Sequence, residues 1–376
     1  MIDEAFKKLA RFQVKKPLWV MVIVLLITII LVSGLSSLKM ESDMSKMMPK
    51  DLECMKTMNI VTDEFGGTNS YTIVVEINPM NAYSDDVRDI RDPRVIEYAD
   101  LISKQIEKEK GITGVSSVVD VLKAQNNGVL PRSKRTINDL LDKSVQSKSY
   151  ISPDYDLMKI NAKTSLTTGQ TEDIAVLLKN IEDILIETKT PPGIKTGVTG
   201  ALVVSAEQKN GMGPDMAITS GIALAGILIC LCVTFVSVRY GLTTLLPVVF
   251  GVIWAFGFAG HLGLAINTAM VGAASIMLGL GVDFGIQTTN RFRQEIKKHD
   301  IDEAIENTMV GTGRPILTTG VAASIGFSAM LLGDMPMMHG LGMLMSYGVL
   351  SCVAATFLLL PAVFVLEERW VRRFGN

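Results

Sequence analysis

The spacing of six apolar runs constrains this chain more than any other feature. One lies at about residues 18–36, roughly 180 mostly polar residues follow, and five more crowd into 217–366, at about 217–238, 242–260, 265–289, 315–333 and 339–366. Each is near the roughly 20 residues that carry a helix across the hydrocarbon core of a bilayer. Together they predict a membrane bundle of six transmembrane helices, with residues 37–216 as a separate domain on one side. Composition agrees, because 48% hydrophobic residues and a mean hydropathy of +0.34 are too apolar for an ordinary soluble protein of 376 residues.

The first run, "PLWVMVIVLLITIILVSGL", is longer than the centre of a signal peptide and lacks a small-residue cleavage pattern, so it is expected to remain as an anchor. Before it, residues 1–17 place Phe6, Leu9, Ala10 and Phe12 on one helical face, with Lys7, Lys8, Arg11, Lys15 and Lys16 able to reach headgroups. That is the pattern of an interfacial helix. Lysine and arginine fall in alternate connections. The N-terminal segment, Arg239, "RFRQEIKKHDIDEAIENTMVGTGRP" and the tail 367–376 contain them, and "GHLGL" and "GDMPMMH" do not. Cytoplasmic loops carry the basic excess, so both termini are expected in the cytoplasm and residues 37–216 outside, in a multi-pass protein of the plasma membrane. A net charge of -2 gives no global field that would favour nucleic acid as a partner. Cys230, Cys232 and Cys352 fall in apolar runs and only Cys54 in a polar one, and His261, His299 and His339 are scattered. Neither a disulfide framework nor a metal site is implied, and no organic cofactor is expected.

Residues 37–216 have the size of one domain. "YTIVVEIN" at 71–78 reads as a strand, 94–111 as an amphipathic helix, "ITGVSSVVDV" as a second strand, 157–166 as a third, 171–189 as a second helix and "IKTGVTG" as a fourth strand. The order βαβ then βαβ predicts a split, ferredoxin-like α+β domain. Residues 126–154 read as an insertion with a short helix, and "MPKDLECMKTMNIVTDEFGG" as a helix ending at the Gly66-Gly67 pair. No nucleophile beside a base and no phosphate-cradling loop stands out, so the chain does not read as an enzyme.

The chemistry concentrates in "GLGVDFGIQTTNRFRQE" at 279–295. Asp283 lies eight residues before Arg291, about 12 Å into the membrane at helical rise. An ionised Asp at a helix centre costs roughly 2.5–3.5 kcal/mol on insertion scales, so this carboxyl must be protonated, hydrated or paired. With no cation expected on any span, the protonated form becomes accessible, and Asp283 is a candidate proton carrier. Gln287, one turn on, can hydrogen-bond it. If the fifth span starts at Arg314-Pro315, then Thr318, Thr319 and Ser324 fall near the same depth as candidate relay partners. Gly272, Gly279, Gly281 and Gly285 remove bulk and read as helix-packing positions. The 21 methionines read chiefly as gap-filling core.

A basic pre-helix, one span, a large outer domain and five clustered spans together resemble the half-unit of the resistance–nodulation–division superfamily. The resemblance is strongest to its hydrophobe/amphiphile exporters and mycobacterial large membrane proteins. It is carried by "RFQVKKPLWVMV", "MPKDLECMKTMNIVTDEFGG", "GLGVDFGIQTTNRFRQE" and "GRPILTTGVAASIGFSAMLL", and it covers nearly the whole chain. It implies a porter-type outer domain and proton-driven export of lipids or other hydrophobic molecules, with protons as the coupling ion and Asp283 at the position of the family's relay aspartate. Two departures stand out: Phe284 replaces the family's usual Tyr after the Asp, and one half-unit is present where typical members have two. A homodimer would supply the second half. Relatives that assist protein translocation, and sterol-sensing receptors with related helices, are the alternative readings.

Overall fold

The computed structural model describes residues 2–43, 47–49, 51–65, 69–78, 85–167 and 170–374. The chain divides into two compact units, one of Met1–Pro49 with Gly211–Asn376 and the other of Lys50–Asn210. Its first elements are α1 (Ile2–Lys15), α2 (Pro17–Leu35), β1 (Lys39–Met40), α3 (Glu53–Phe65), β2 (Ser70–Ile77), α4 (Pro93–Ile106), β3 (Ile112–Ser116), α5 (Val118–Gln125) and α6 (Lys134–Lys143). There follow β4 (Leu157–Thr164), α7 (Thr171–Glu187), β5 (Ile194–Thr199), α8 (Ala201–Phe235), α9 (Val238–His261), β6 (Ala265–Ile266), α10 (Ala273–Glu295), α11 (Ile301–Ser328) and α12 (Pro336–Phe374).

Six helices among the described residues, α2 and α8 to α12, are long and apolar enough to cross a membrane. Their ends differ from the expected ones wherever a helix outruns its apolar stretch. Helix α8 starts at Ala201 rather than near 217, and α10 starts at Ala273 after a one-turn 3-10 segment, Thr268–Met270. Helix α12 continues through 367 to Phe374, into the segment expected as a tail. The largest correction concerns the connection before 315. It is helical from Ile301, so Pro315 lies inside α11 and is not the start of the span. Proline in a helix interior forfeits one hydrogen bond and crowds the carbonyl four residues back, here that of Gly311, where no side chain adds to the crowding.

Helix α9 packs against α2, α10 and α12. At its seam with α2 the backbones touch, because a Cβ on Gly260 or Gly257 would collide with the carbonyl of Gly34 or Leu31. Polar groups finish the same seam, with Trp254 Nε1 donating to Thr28 Oγ1 at 2.9 Å. Helix α1 also departs from expectation. Phe6, Ala10, Gln13 and Val14 are buried while Phe12 is 45% exposed, so the inner face docks on protein, against α11 and α12. The Phe6 ring lies 4.9 Å from that of Phe357, and Arg11 Nε donates to Glu306 Oε2 at 2.9 Å. Gln13 Nε2 donates to the Phe357 carbonyl at 2.8 Å. That carbonyl stands four residues before Pro361, so α1 replaces the donor that the proline lacks.

In the second unit, β2 to β5 form a four-stranded sheet in the order β3-β4-β2-β5 with every neighbouring pair antiparallel. Tyr71, Ile73 and Val75 of β2 and Met158, Ile160 and Ala162 of β4 alternate inward and share one core with Ile96, Ile102 and Ile106 of α4 and Leu177 and Ile181 of α7. The stretch "ITGVSSVVDV" is only half strand. Ser117 Oγ accepts from Val119 N, and the Asp120 side chain accepts from Ser117 N, and this reciprocal cap starts α5 despite three valines. The insertion 126–154 holds α6 and a 3-10 turn, Val145–Ser149. The end of α3 at Gly66-Gly67 lies outside the described residues.

Candidate functional site

Helix α10 is buried along Ala274, Leu278, Gly281, Val282, Gly285, Thr288 and Thr289, where it meets α9, α11 and α12. Asp283 points the other way. It is exposed, and so are Ile276, Gly279, Leu280, Gln287 and Asn290, a stripe at three- and four-residue spacing along one face. On α11, which runs antiparallel beside α10, the exposed residues include Arg314, Thr318, Thr319, Ala322 and Ile325.

Two contacts set the register of these helices. A Cβ on Gly311 would stand 3.2 Å from Arg291 Nε, and one on Gly320 would stand 3.9 Å from Phe284 Cζ. Counting between them at helical rise puts Asp283 and Thr319 at nearly one depth, and Gln287 near Pro315. Among the described residues no side-chain hydrogen bond or ion pair reaches Asp283 or Gln287. Thr318 Oγ1 bonds its own helix at the Arg314 carbonyl, 2.9 Å away, as hydroxyls in membrane helices commonly do.

Ser324 is elsewhere. It is buried, and its hydroxyl pairs with that of Ser346 on α12, which also meets Ser328 at 3.0 Å. Its role is a link between α11 and α12, away from the Asp283 stripe, because α11 turns it inward while Thr318 and Thr319 face out. The glycines divide in the same way. A Cβ on Gly281 would lie 2.9 Å from Cys352 Sγ and one on Gly285 would lie 2.6 Å from the Thr244 carbonyl oxygen, whereas Gly279 and Gly272 have nothing within 4 Å. Close packing therefore applies to Gly281 and Gly285, and Gly279 sits on the open stripe. Phe284 is buried at 3% exposure in the apolar cluster with Phe357 and Val353, on the face away from Asp283.

One residue was concealed by the expected start of the fifth span. Arg314 lies within α11, five residues from Thr319 and therefore about 7–8 Å in depth from Asp283, on the exposed side. The signal was available, since Asp300 ahead of an amphipathic run is a helix start. A carboxyl and a carboxamide are thus exposed on α10, and two hydroxyls and a guanidinium are exposed on the neighbouring α11. Such a set can hold a proton, pass it, or order water.

Six helices long and apolar enough to cross a bilayer define a multi-span membrane protein. The sequence matches the MMPL family over residues 46–375, and the chain belongs to that family. It is 34% identical over 374 residues to the putative membrane protein MJ1562 of Methanocaldococcus jannaschii, covering 99% of this chain and 96% of that protein. It is 29% identical over 197 residues to the probable transport protein MmpL4 of Mycobacterium leprae, which covers 50% of this chain and 20% of that one. With the siderophore exporter MmpL5 of Mycobacterium tuberculosis it shares 21% identity over 215 residues, 55% of this chain and 22% of the exporter. The chain thus spans nearly all of the archaeal relative and about a fifth of the mycobacterial ones.

Proposed function

We propose that the protein is a proton-motive-force-driven transporter that exports lipids or other hydrophobic or amphiphilic molecules, working as a homodimer of half-units. The observation that carries this reading is the placement of Asp283 and Gln287 on an open apolar face beside Thr318 and Thr319. Left against lipid, an ionised Asp283 is costly by the insertion scale above. A second copy on a twofold axis covers the face, removes the lipid and brings the two Asp283 side chains toward one another.

In this reading both termini are cytoplasmic and the unit of residues 50–210 is an extracytoplasmic, porter-type domain. The strand order β3-β4-β2-β5, with α4 and α7 each joining two strands of its half, supports the ferredoxin-like assignment. Protonation of Asp283 changes the charge on the α10–α11 face, and that change shifts these helices and alternately opens a hydrophobic path. No cofactor enters this scheme.

Reconstitution into liposomes with an imposed pH gradient tests it. Export of a fluorescent lipid by the wild type, lost in Asp283→Asn, is the expected result. Full gradient-dependent transport by Asp283→Asn overturns the proton role. Transport by a protein that stays one chain per particle in a nanodisc overturns the homodimer.

A further inference from the structure

Between α8 and α9 the chain turns in two residues, Val236 and Ser237, and Val236 takes a φ of 51° that β-branched side chains rarely adopt. Arg293 of α10 lies over the aromatic residues on either side of that turn. Its Cζ is 5.5 Å from the Phe235 ring centre and 4.9 Å from that of Tyr240. Both distances fall within the roughly 6 Å at which a ring face attracts a cation. Arg239 approaches the same Tyr240 ring, with its Cζ 5.6 Å from the centre. Two guanidinium groups are thus gathered at one ring.

The acceptors beside them are already engaged. Glu367 accepts from Arg239 Nε on Oε2 at 3.2 Å and from the Thr243 hydroxyl on Oε1 at 2.8 Å. Glu295, on the same helix as Arg293, is held by Arg291 at 2.8 Å and by Asn307 at 3.1 Å. Arg293 is partly buried, yet it has no hydrogen bond or ion pair among the described residues. Ring faces attract its charge but leave its five N–H donors without an acceptor oxygen. Of the Arg239 nitrogens only Nε is hydrogen-bonded to a described residue. The corner therefore lacks an acceptor that brings several oxygens and a negative charge. A phosphate group supplies both, since planar guanidinium forks bind phosphate oxygens in pairs.

The surroundings favour a lipid as the source of that phosphate. Val236, Val238 and Leu242 are exposed, and Val238 and Leu242 stand one turn apart on α9. Exposed apolar side chains beside cations at the end of a span suit acyl chains lying below an anionic headgroup. We propose that Arg293 and Arg239 hold the phosphate of an anionic lipid, with its acyl chains along Val238 and Leu242. The site lies about 15 Å along α10 from Asp283 and does not depend on the exporter reading.

Native mass spectrometry of the full chain in detergent, with phosphatidylglycerol and phosphatidylcholine supplied in equal amounts, tests the assignment. The wild type is expected to retain the anionic lipid about tenfold better, the range one charge-assisted hydrogen bond supplies. Arg293→Gln is expected to bring the two lipids near parity. Lys297→Gln, an equal loss of charge at an exposed position of the same basic run, is expected to keep the preference. Equal losses in both variants overturn the proposal, because the general field of the run then attracts the lipid. No loss in Arg293→Gln overturns it too. Equal retention of the two lipids by the wild type does so without any variant, so misfolding of Arg293→Gln leaves the test intact. Thermal unfolding of the lipid-free wild type with millimolar inorganic phosphate separates the sources. No shift is expected with phosphate and a rise with phosphatidylglycerol, whereas an equal rise with both assigns the corner to free phosphate and overturns the lipid site.

Discussion

The two sides of α10 follow different rules. On the inner side Gly281 and Gly285 touch neighbouring helices so closely that one added carbon meets Cys352 Sγ at 2.9 Å or the Thr244 carbonyl oxygen at 2.6 Å. On the outer side Gly279 meets nothing within 4 Å, and Asp283 and Gln287 lie beside it, exposed. Small and polar residues thus occur on both faces, but only the inner face uses them within the chain. A face made merely for lipid gains nothing from a carboxylate, and the amide of Gln287 on the same side adds to its polarity. The difference teaches that the outer face keeps polar groups that the packing of the chain itself does not use.

The largest effect expected comes from exchanging the rules. Gly285→Leu places a branched side chain against the α9 backbone, where rigid carbonyl atoms cannot move aside, and overpacking of that kind costs about 1–3 kcal/mol or more. Loss of folded protein in size-exclusion chromatography is the expected outcome. Gly279→Leu leaves folding intact, within about ±0.5 kcal/mol, but reduces both pairing and transport because it fills the stripe. If Gly279→Leu unfolds the protein, or Gly285→Leu is tolerated, the division between the faces fails.

A second comparison sharpens the first. Gln13 and Gln287 are both carboxamides beside the bundle, yet Gln13 is fully buried and bonded to Phe357 and Leu358 carbonyls, whereas Gln287 is exposed. Gln13→Leu leaves the Phe357 carbonyl without its borrowed donor and is expected to cost about 0.5–2 kcal/mol. Gln287→Leu is expected to change thermal stability by less than about 0.5 kcal/mol while impairing transport. Thermal unfolding in detergent beside a liposome flux assay separates the two outcomes.

Much of this was legible in the sequence, and the misses have physical reasons. The six spans were readable because apolarity over about 20 residues is a local property. Their ends were not, because α11 begins at Ile301, well before Pro315, and α12 continues past its apolar stretch to Phe374, and the prolines inside them, Pro315 and Pro361, are tolerated for reasons lying outside the apolar runs. For Pro361 the compensation comes from Gln13, whose bond joins residues 344 positions apart. The start of α5 was hidden because Val118, Val119 and Val121 favour strand while the Ser117–Asp120 cap, which decides the matter, occupies two positions. Asp283 was conspicuous as a charge in an apolar run. Which way it faces was not readable, since that depends on where α9 and α12 pack. Ser324 was misplaced on the same account, as helical spacing puts it near Asp283 in depth but says nothing of the Ser346 hydroxyl on its other side.

The smallest expected effect compares Asp283 with a carboxylate in the other unit. Asp89 lies among cations: Arg91 Nη2 is 2.9 Å from Oδ2 and Lys134 Nζ is 2.9 Å from the same oxygen. Burial pushes its pKa up, but the hydrogen bonds from Arg91 and Lys134 outweigh that, and the carboxyl titrates below the usual range. A carboxyl whose pKa is lower folded than unfolded stabilises the fold above its ordinary pKa near 4, and that contribution drains away as pH falls from there through the folded value. The pairs are partly exposed, so the contribution is about 1 kcal/mol or less. Hydrogen exchange over residues 85–167 of the full chain, compared at each pH with Asp89→Asn, is expected to show wild-type protection exceeding the variant's at pH 6 and converging with it below pH 4. Convergence on raising the pH instead would mean that the cations do not hold Asp89. Asp283, with no hydrogen-bond or ion-pair partner among the described residues, is expected to leave stability at pH 6 unchanged when replaced by Asn, so only Asp89 is tied to the fold by its side-chain contacts.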